Sequence, residues 1–286
     1  MLNPKFGASI LSWIPPVWTP DSGLYAIKKT AETGFDILEI LLPVTMDFDA
    51  STVKKQLKDH NIEALCSINL PKSCHIPFHP LEATTLIKAA LDKTAELEVK
   101  FLGGVLHSGI GVFTGLPRTK EEEVIMCQVW TEVAAYAKAL GIKIGIEPVN
   151  RYESYICTAA SETLALIKKS NSENIGLHLD TFHMNIEEAN FYDPVVQAGQ
   201  KLFHVHMTES DRGMLGEGNV HWDELFKGLA KINYSGALVL ENFSSEIKEL
   251  VGPTSLWRPS KYNAEDLAKG SLAFMKKMVE KYNQQQ

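Results

Sequence analysis

Asn174 to Glu188 reads NIGLHLDTFHMNIEE, and the rest of the chain is arranged around this stretch. It opens as a short apolar run, Ile175-Gly-Leu-His-Leu179, whose length and composition suit a buried strand. The run stops on a charge, Asp180. His183 follows three residues later, and Asn185 to Glu188 looks like the start of a helix. A carboxylate at the end of a buried strand is costly unless a cation or hydrogen bonds receive it. The plain alternative is a strand-end Asp that caps the next helix. The same pattern of apolar run and terminal ionisable group recurs at Glu147, His206 and Glu241, which favours a shared purpose.

Composition sets the bounds. The chain has 286 residues, 45% hydrophobic and 22% charged, an ordinary globular balance with ample length for a large core. Lys plus Arg number 28 against 35 Asp plus Glu, a net charge of -7, and no basic tract occurs. Nucleic acid and anionic membrane are therefore poor partners. The N-terminus, MLNPKFGASILSWIPP, lacks a basic segment leading into an unbroken apolar one, and no apolar run is long enough to span a bilayer. The 4 cysteines, Cys66, Cys74, Cys127 and Cys157, lie far apart without a CxxC pair. Neither a disulfide framework nor a cysteine zinc site is suggested, and a reduced cytoplasmic setting fits.

Strand and helix signals alternate from end to end. Strands are expected over 5–10, 37–42, 62–68, 101–106, 142–147, 175–180, 202–206 and 237–241. Helices are expected over 21–33, closed by Gly34, over 51–60 with Ser51 as N-cap, and over 81–97. Further helices are expected over 119–140 with the acidic first turn Glu121-Glu-Glu123, 159–169, from about 186, over 222–232 and over 264–281. Eight strand–helix units with short apolar strands predict an α/β fold, a closed (β/α)8 barrel spanning 1–286 as a single domain. A doubly wound open sheet is the runner-up.

In such a barrel reactive groups sit at the C-terminal ends of strands. Glu147, Asp180, His206 and Glu241 would end four successive strands and meet near one point on the axis. Three carboxylates and an imidazole at one point repel, or stay protonated, unless a cation joins them. Oxygen-rich ligation with a single nitrogen suits Mn²⁺, Co²⁺ or Mg²⁺ better than a thiolate-loving metal, with Zn²⁺ still open.

The segments IEPVNRYES (146–154), HLDTFHMNIEEA (178–189), HVHMTESDRGMLGEGN (204–219) and LENFSSEI (240–247) resemble the ketose 3-epimerases. These are the D-tagatose, D-allulose and L-ribulose 3-epimerases of the xylose-isomerase-like barrel superfamily. The resemblance covers nearly the whole chain. It implies metal ligands at Glu147, Asp180, His206 and Glu241, with Mn²⁺ the first expectation, and an acid/base pair in Glu147 and Glu241. It implies substrate contacts at Glu153, His183 and Arg212, a free ketose as substrate, and assembly into a homodimer or homotetramer. Inverting C3 of a ketose requires two bases on opposite faces and an electrophile for the enediolate that develops, so the chemistry agrees with those roles.

Blander roles exist for each of these. Arg212 would be an exposed loop residue, His183 a helix-start packing residue and Glu153 a solvated acid. His204 and His178 share faces with His206 and Asp180 by strand alternation, and read as deeper interior residues with satisfied hydrogen bonds. Trp257 and Arg258 are expected to stabilise the long loop before the last helix. Two departures bear on substrate choice. Ser9 stands where several relatives place an aromatic wall, with Trp13 and Trp18 nearby, and the loop after strand four reads His107-Ser-Gly-Ile-Gly111 where some carry Trp. Phe243 keeps an aromatic position. The segments after strands seven and eight look nearest the L-ribulose-accepting members.

Rival readings on the same fold are an aldose–ketose isomerase and a polyol dehydratase. A multi-zinc nuclease of the endonuclease IV type would need more His and a basic face, and a binding-only barrel has no need of a metal flanked by two Glu. No GxGxxG opens a helix after strand one, which disfavours a nicotinamide enzyme. Arg212 is accompanied by Glu209, Asp211, Glu217 and Glu246, a poor phosphate cradle, so an unphosphorylated sugar is expected.

Overall fold

A computed structural model describes residues 1–284. Eight parallel strands close into a barrel in sequence order: β1 (Lys5–Ser9), β2 (Ile37–Leu41), β3 (Glu63–Ser67), β4 (Phe101–Gly103), β5 (Lys143–Ile146), β6 (Ile175–Asp180), β7 (Leu202–Met207) and β8 (Ala237–Leu240). The open sheet is thereby excluded. Around the barrel run α1 (Pro20–Thr33), α2 (Ala50–Asp59), α3 (Pro80–Glu96), α4 (Lys120–Ala139), α5 (Ala160–Lys169), α6 (Thr181–Glu187), α7 (Tyr192–Ala198), α8 (Trp222–Lys231), α9 (Lys248–Val251) and α10 (Ala264–Asn283). No helix among the described residues is long and apolar enough to cross a membrane.

Local chemistry explains the boundaries. Thr19 with Ser22, and Thr119 with Glu122, form capping boxes that satisfy the first free N–H groups of α1 and α4. Gly34 ends α1 in the left-handed region at φ 92°. Ser51 is not the cap of α2. Asp49 is, and its Oδ1 accepts both the Ser51 N–H (3.0 Å) and the Ser51 hydroxyl (2.7 Å). β4 is shorter than the apolar run to Leu106, because Gly104 turns the chain at φ 115°. The helix expected from about Ile186 starts instead at Thr181, capped by Asp180, and ends at Glu187. The apolar segments of β6 and α6 thus abut without a loop. Glu147 and Glu241 fall one residue beyond β5 and β8.

Two glycines make room inside. A Cβ on Gly145 would lie 2.6 Å from the Phe101 ring and 3.2 Å from His178 Cβ, and one on Gly103 would lie 3.0 Å from His178 Nδ1. Small residues on β4 and β5 therefore allow the Phe101 and His178 rings to fill the barrel centre.

Candidate active site

Register brings the ionisable strand ends together. Asp180 is paired directly with His206, and His178 with His204, in the β6–β7 ladder. Glu147 and Glu241 follow the strands on either side of that pair. His206 Nδ1 stands 3.6 Å from Glu147 Oε1 and 3.6 Å from Glu241 Oε1. Donor atoms of Glu147, Asp180 and His206 all lie within 4.8 Å of one another. Of the four residues expected to converge, Glu147, Asp180 and His206 form this tight group, and Glu241 borders it through the His206 nitrogen.

Asp180 serves two ends at once. Its Oδ1 accepts the Phe182 N–H at 2.8 Å, which caps α6, while Oδ2 faces the cluster and meets Arg212 Nη1 at 2.9 Å. Arg212 also pairs with Glu241 Oε2. Its guanidinium is held between the Phe182 and Phe243 rings, 4.1 and 4.6 Å from their centroids. Arg212 is buried, not a surface residue, and its backbone is left-handed at φ 62°.

His183 is buried too. Its Nδ1 accepts the Asn150 N–H at 3.2 Å, which puts the ring proton on Nε2, 3.6 Å from Asp180 Oδ2. Asn150 Nδ2 donates to Glu153 Oε1 at 2.9 Å, so one amide fixes both side chains. Glu147, Glu241, Glu153, His183 and Arg212 all line one cavity of about 640 Å³. Leu11, Leu41, Val105 and Ile110 form an apolar wall, with Phe243 beside Arg212. Trp13 and Trp18 do not replace the missing aromatic at strand one. The former donates to Thr30 Oγ1 at 3.0 Å and the latter packs on Phe48.

Burial sets the electrostatics. It raises Glu147, with the nearby Asp180 and Glu39 charges adding to it and His206 opposing. Burial likewise pushes Glu241 up to about 8, against His206 and Arg212. Asp180 resists the same burial because Arg212, His183 and His206 hold it at about 2. His206 is kept well above the usual imidazole range, since Glu39, Glu241 and Glu147 outweigh its desolvation. Burial takes His183 down to about 3 despite Asp180.

Glu147, Asp180 and His206 form a group that could hold a divalent cation. Ligand atoms that each sit about 2.1 Å from one ion stand roughly 3 to 4 Å apart, and the buried Nδ1 of His206 has no hydrogen-bond partner among the described residues. Three carboxylates and this nitrogen make a hard, oxygen-rich set.

Other expectations divide. His204 is a satisfied interior residue, with Nε2 2.6 Å from Glu39 Oε2. His178 is not: neither ring nitrogen has a hydrogen-bond partner among the described residues. Its ring instead meets those of His206 and His204 edge-on at 4.1 and 4.4 Å, and burial holds it well below its ordinary pKa. Trp257 is 75% exposed and does not brace the loop before α10. That loop is closed by Ser245 and Ser260, whose backbone N–H groups each donate to the other's hydroxyl at 2.8 and 2.7 Å. Glu39 and Asn150 are not among the residues expected at the site, and His107 is expected only as part of the loop after strand four. His107 Nε2 meets the Glu147 carbonyl at 2.9 Å. The signal for Glu39 is a lone acid in the apolar run ILEIL.

Comparison with known proteins agrees with the geometry. The xylose isomerase-like TIM barrel family model matches residues 27–278. The ketose 3-epimerase of Arthrobacter globiformis is 34% identical over 258 residues, 88% of this chain and 89% of that protein. The L-ribulose 3-epimerase of a Methylomonas species is 34% identical over 278 residues, 95% and 96% of the two chains. A crystal structure of D-allulose 3-epimerase from Methylomonas sp. in complex with D-allulose superposes with a TM-score of 0.90 at 33% identity, covering 97% of this chain and 98% of that one. With that likeness running along almost all of both chains, this protein belongs to the xylose isomerase-like TIM barrel family and, within it, to the ketose 3-epimerases, which are isomerases.

Proposed function

We propose that the chain inverts C3 of free ketoses of the D-tagatose, D-fructose/D-allulose and L-ribulose type, with Glu147 and Glu241 exchanging the C3 proton. The observation that carries this is the pair of carboxylates lining one cavity, Glu147 buried and Glu241 partly so, each 3.6 Å from the same His206 nitrogen. Epimerisation removes the proton alpha to the C2 carbonyl from one face and returns one on the other. Glu147, from β5, and Glu241, from β8, reach the cavity from different sides of the barrel. Burial favours the protonated form of each, so either can act as acid when its partner is the base.

Glu147, Asp180, His206 and Glu241 would hold a divalent cation, Mn²⁺ first and Co²⁺ or Mg²⁺ as alternatives. Such an ion supplies an electrophile for the negative charge that develops on the sugar oxygens. Arg212 and His183 present N–H donors to the cavity and orient hydroxyl or carbonyl oxygens of the sugar. Glu153, which burial raises against Arg212, accepts from or donates to a further hydroxyl. The acidic surroundings of Arg212 support an unphosphorylated substrate, and the apolar wall leaves the far end of the sugar with few polar partners. We further read the chain, 1–286, as one domain acting as a cytoplasmic homodimer or homotetramer. The four free cysteines support that setting.

Reaction in D₂O separates this reading from its rival. Deuterium should enter at C3 of the product ketose, with C1 unlabelled, when D-tagatose, D-fructose, D-allulose or L-ribulose is supplied with Mn²⁺. Glu147→Gln and Glu241→Gln should each abolish net epimerisation, because an amide accepts no proton. Metal content is measured in parallel, since both are proposed ligands. Deuterium at C1 with an aldose product would identify an aldose–ketose isomerase, and elimination of water a dehydratase.

A further inference from the structure

The epimerisation scheme makes no use of a carboxylate that lies deeper in the barrel. Glu39 is the central residue of β2 and is 1% exposed. Its neighbours in the strand, Leu38 and Ile40, point to the opposite face, so Glu39 faces the interior. An unpaired carboxylate there would be strongly destabilising. Glu39 is instead engaged at both oxygens by β7, a strand that is not its neighbour in the closed order. Oε1 lies 2.9 Å from His206 Nε2, and Oε2 lies 2.6 Å from His204 Nε2.

A carboxylate in this position only accepts, so both imidazoles donate through Nε2. His206 is then left with Nδ1 as the nitrogen that can offer a lone pair. That atom has no hydrogen-bond partner among the described residues and stands 3.6 Å from Glu147 and 3.6 Å from Glu241. His204 cannot play the same part. It lies two residues earlier on β7, its ring packs on Phe101 at 5.0 Å, and it supplies the second anchor of the carboxylate.

We infer that Glu39, anchored by His204, is a positioning residue that fixes the ring of His206 with Nε2–H on the carboxylate and Nδ1 toward the divalent cation. The inference rests on the proposed cation site and adds to it a carboxylate–histidine pair behind one ligand, an arrangement that orients a ligating imidazole and strengthens it as a donor. Glu39 touches no substrate. It acts on the cation site through the His206 ring.

The test is Mn²⁺ affinity, read from the EPR signal of free Mn²⁺ during titration of metal-stripped protein, for wild type, Glu39→Gln and Glu39→Leu. Glu39→Leu removes both acceptors at similar volume and should weaken binding by about 10- to 100-fold. Glu39→Gln keeps one acceptor but no charge and should fall between, a partial rescue. The visible absorption of the Co²⁺-loaded proteins should change in the same order. A merely structural Glu39 would lower the thermal midpoint of the metal-stripped variants and leave Mn²⁺ affinity and the Co²⁺ spectrum of the folded protein as in wild type. That result, in Glu39→Gln alone if Glu39→Leu does not fold, overturns the inference and leaves the epimerase reading intact. Wild type that binds no Mn²⁺ would instead overturn the cation site beneath it.

Discussion

Arg212 shows how much of this site is decided by single side chains. Its guanidinium is clamped between two aromatic faces and set against Asp180 and Glu241, so both its position and its charge are spoken for. Arg212→Ala removes a donor at the cavity wall but no proposed ligand. It should therefore lower kcat/KM by about 100-fold or more, of the order expected for a buried charged hydrogen bond, with bound Mn²⁺ per chain unchanged by elemental analysis. Loss of metal in that variant would assign Arg212 to the cation site, and unchanged kinetics would remove it from the substrate. Arg212→Lys should restore little, because a point charge cannot both stack on Phe182 and Phe243 and reach two carboxylates. The four converging ionisable residues were legible in the sequence because each ends an apolar run. Arg212 needed the family resemblance, since a loop Arg is ordinarily exposed. Glu39 and Asn150 escaped notice for a physical reason: their partners come from β7 and α6, and no local spacing announces a contact made across a barrel.

At the scale of elements, the loops after β3 and β5 are tied to the start of α4 by one part-buried chain of side chains. Tyr155 donates to Glu122 Oε1 at 2.6 Å, and His75 stacks on Tyr155 with its Nε2 3.4 Å from the phenol oxygen. Burial holds His75 down at about 4, against the attraction of Glu122. Its folded pKa thus lies below the unfolded value, so the unfolded chain binds the extra proton first. The stabilisation is complete above about 6.5, the unfolded His value, and is lost as pH falls toward about 4. His75→Gln should flatten the fall in thermal midpoint between about pH 6.5 and 4 relative to wild type, by calorimetry at constant ionic strength. An unaltered pH slope would show that other groups carry the acid sensitivity. The sequence reading matches the strands in number and order, lacks α7 and α9, and differs at boundaries. It placed the helix after β6 too late because Asp180, read as a strand end, is simultaneously the cap of α6.

The whole molecule concentrates like charge where the eight strands open. Glu147, Asp180 and Glu241 face one another at the C-terminal end of the barrel, and among the described residues Arg212 and His206 are set against them from within the chain, with His183 beside Asp180. Asp180 is anionic at neutral pH, while burial and mutual repulsion press Glu147 and Glu241 toward their neutral forms. A divalent cation held there, as proposed, would relieve that repulsion in the folded state alone, because no unfolded chain gathers β5, β6, β7 and β8 at one point. Such binding would therefore appear as stability. Metal-stripped protein should melt lower than protein in Mn²⁺, with a midpoint that climbs with Mn²⁺ concentration. At 100 times the dissociation constant the gain is about 2.7 kcal/mol. For a barrel of this size each kcal/mol moves the midpoint by about 2–4 °C, so an increase of several degrees is expected. Asp180→Asn should lose most of the Mn²⁺-dependent part, because it removes a charged ligand and leaves an amide to face Arg212. A chelator should reverse the increase in wild type, and Mg²⁺ should need higher concentrations than Mn²⁺ or Co²⁺ to match it, following the affinity order of divalent ions at mixed oxygen and nitrogen sites. A thermal midpoint indifferent to chelation and to all three ions would leave the carboxylates at the barrel mouth to be balanced by Arg212 and their own protons, and the two-glutamate scheme would lose its electrophile.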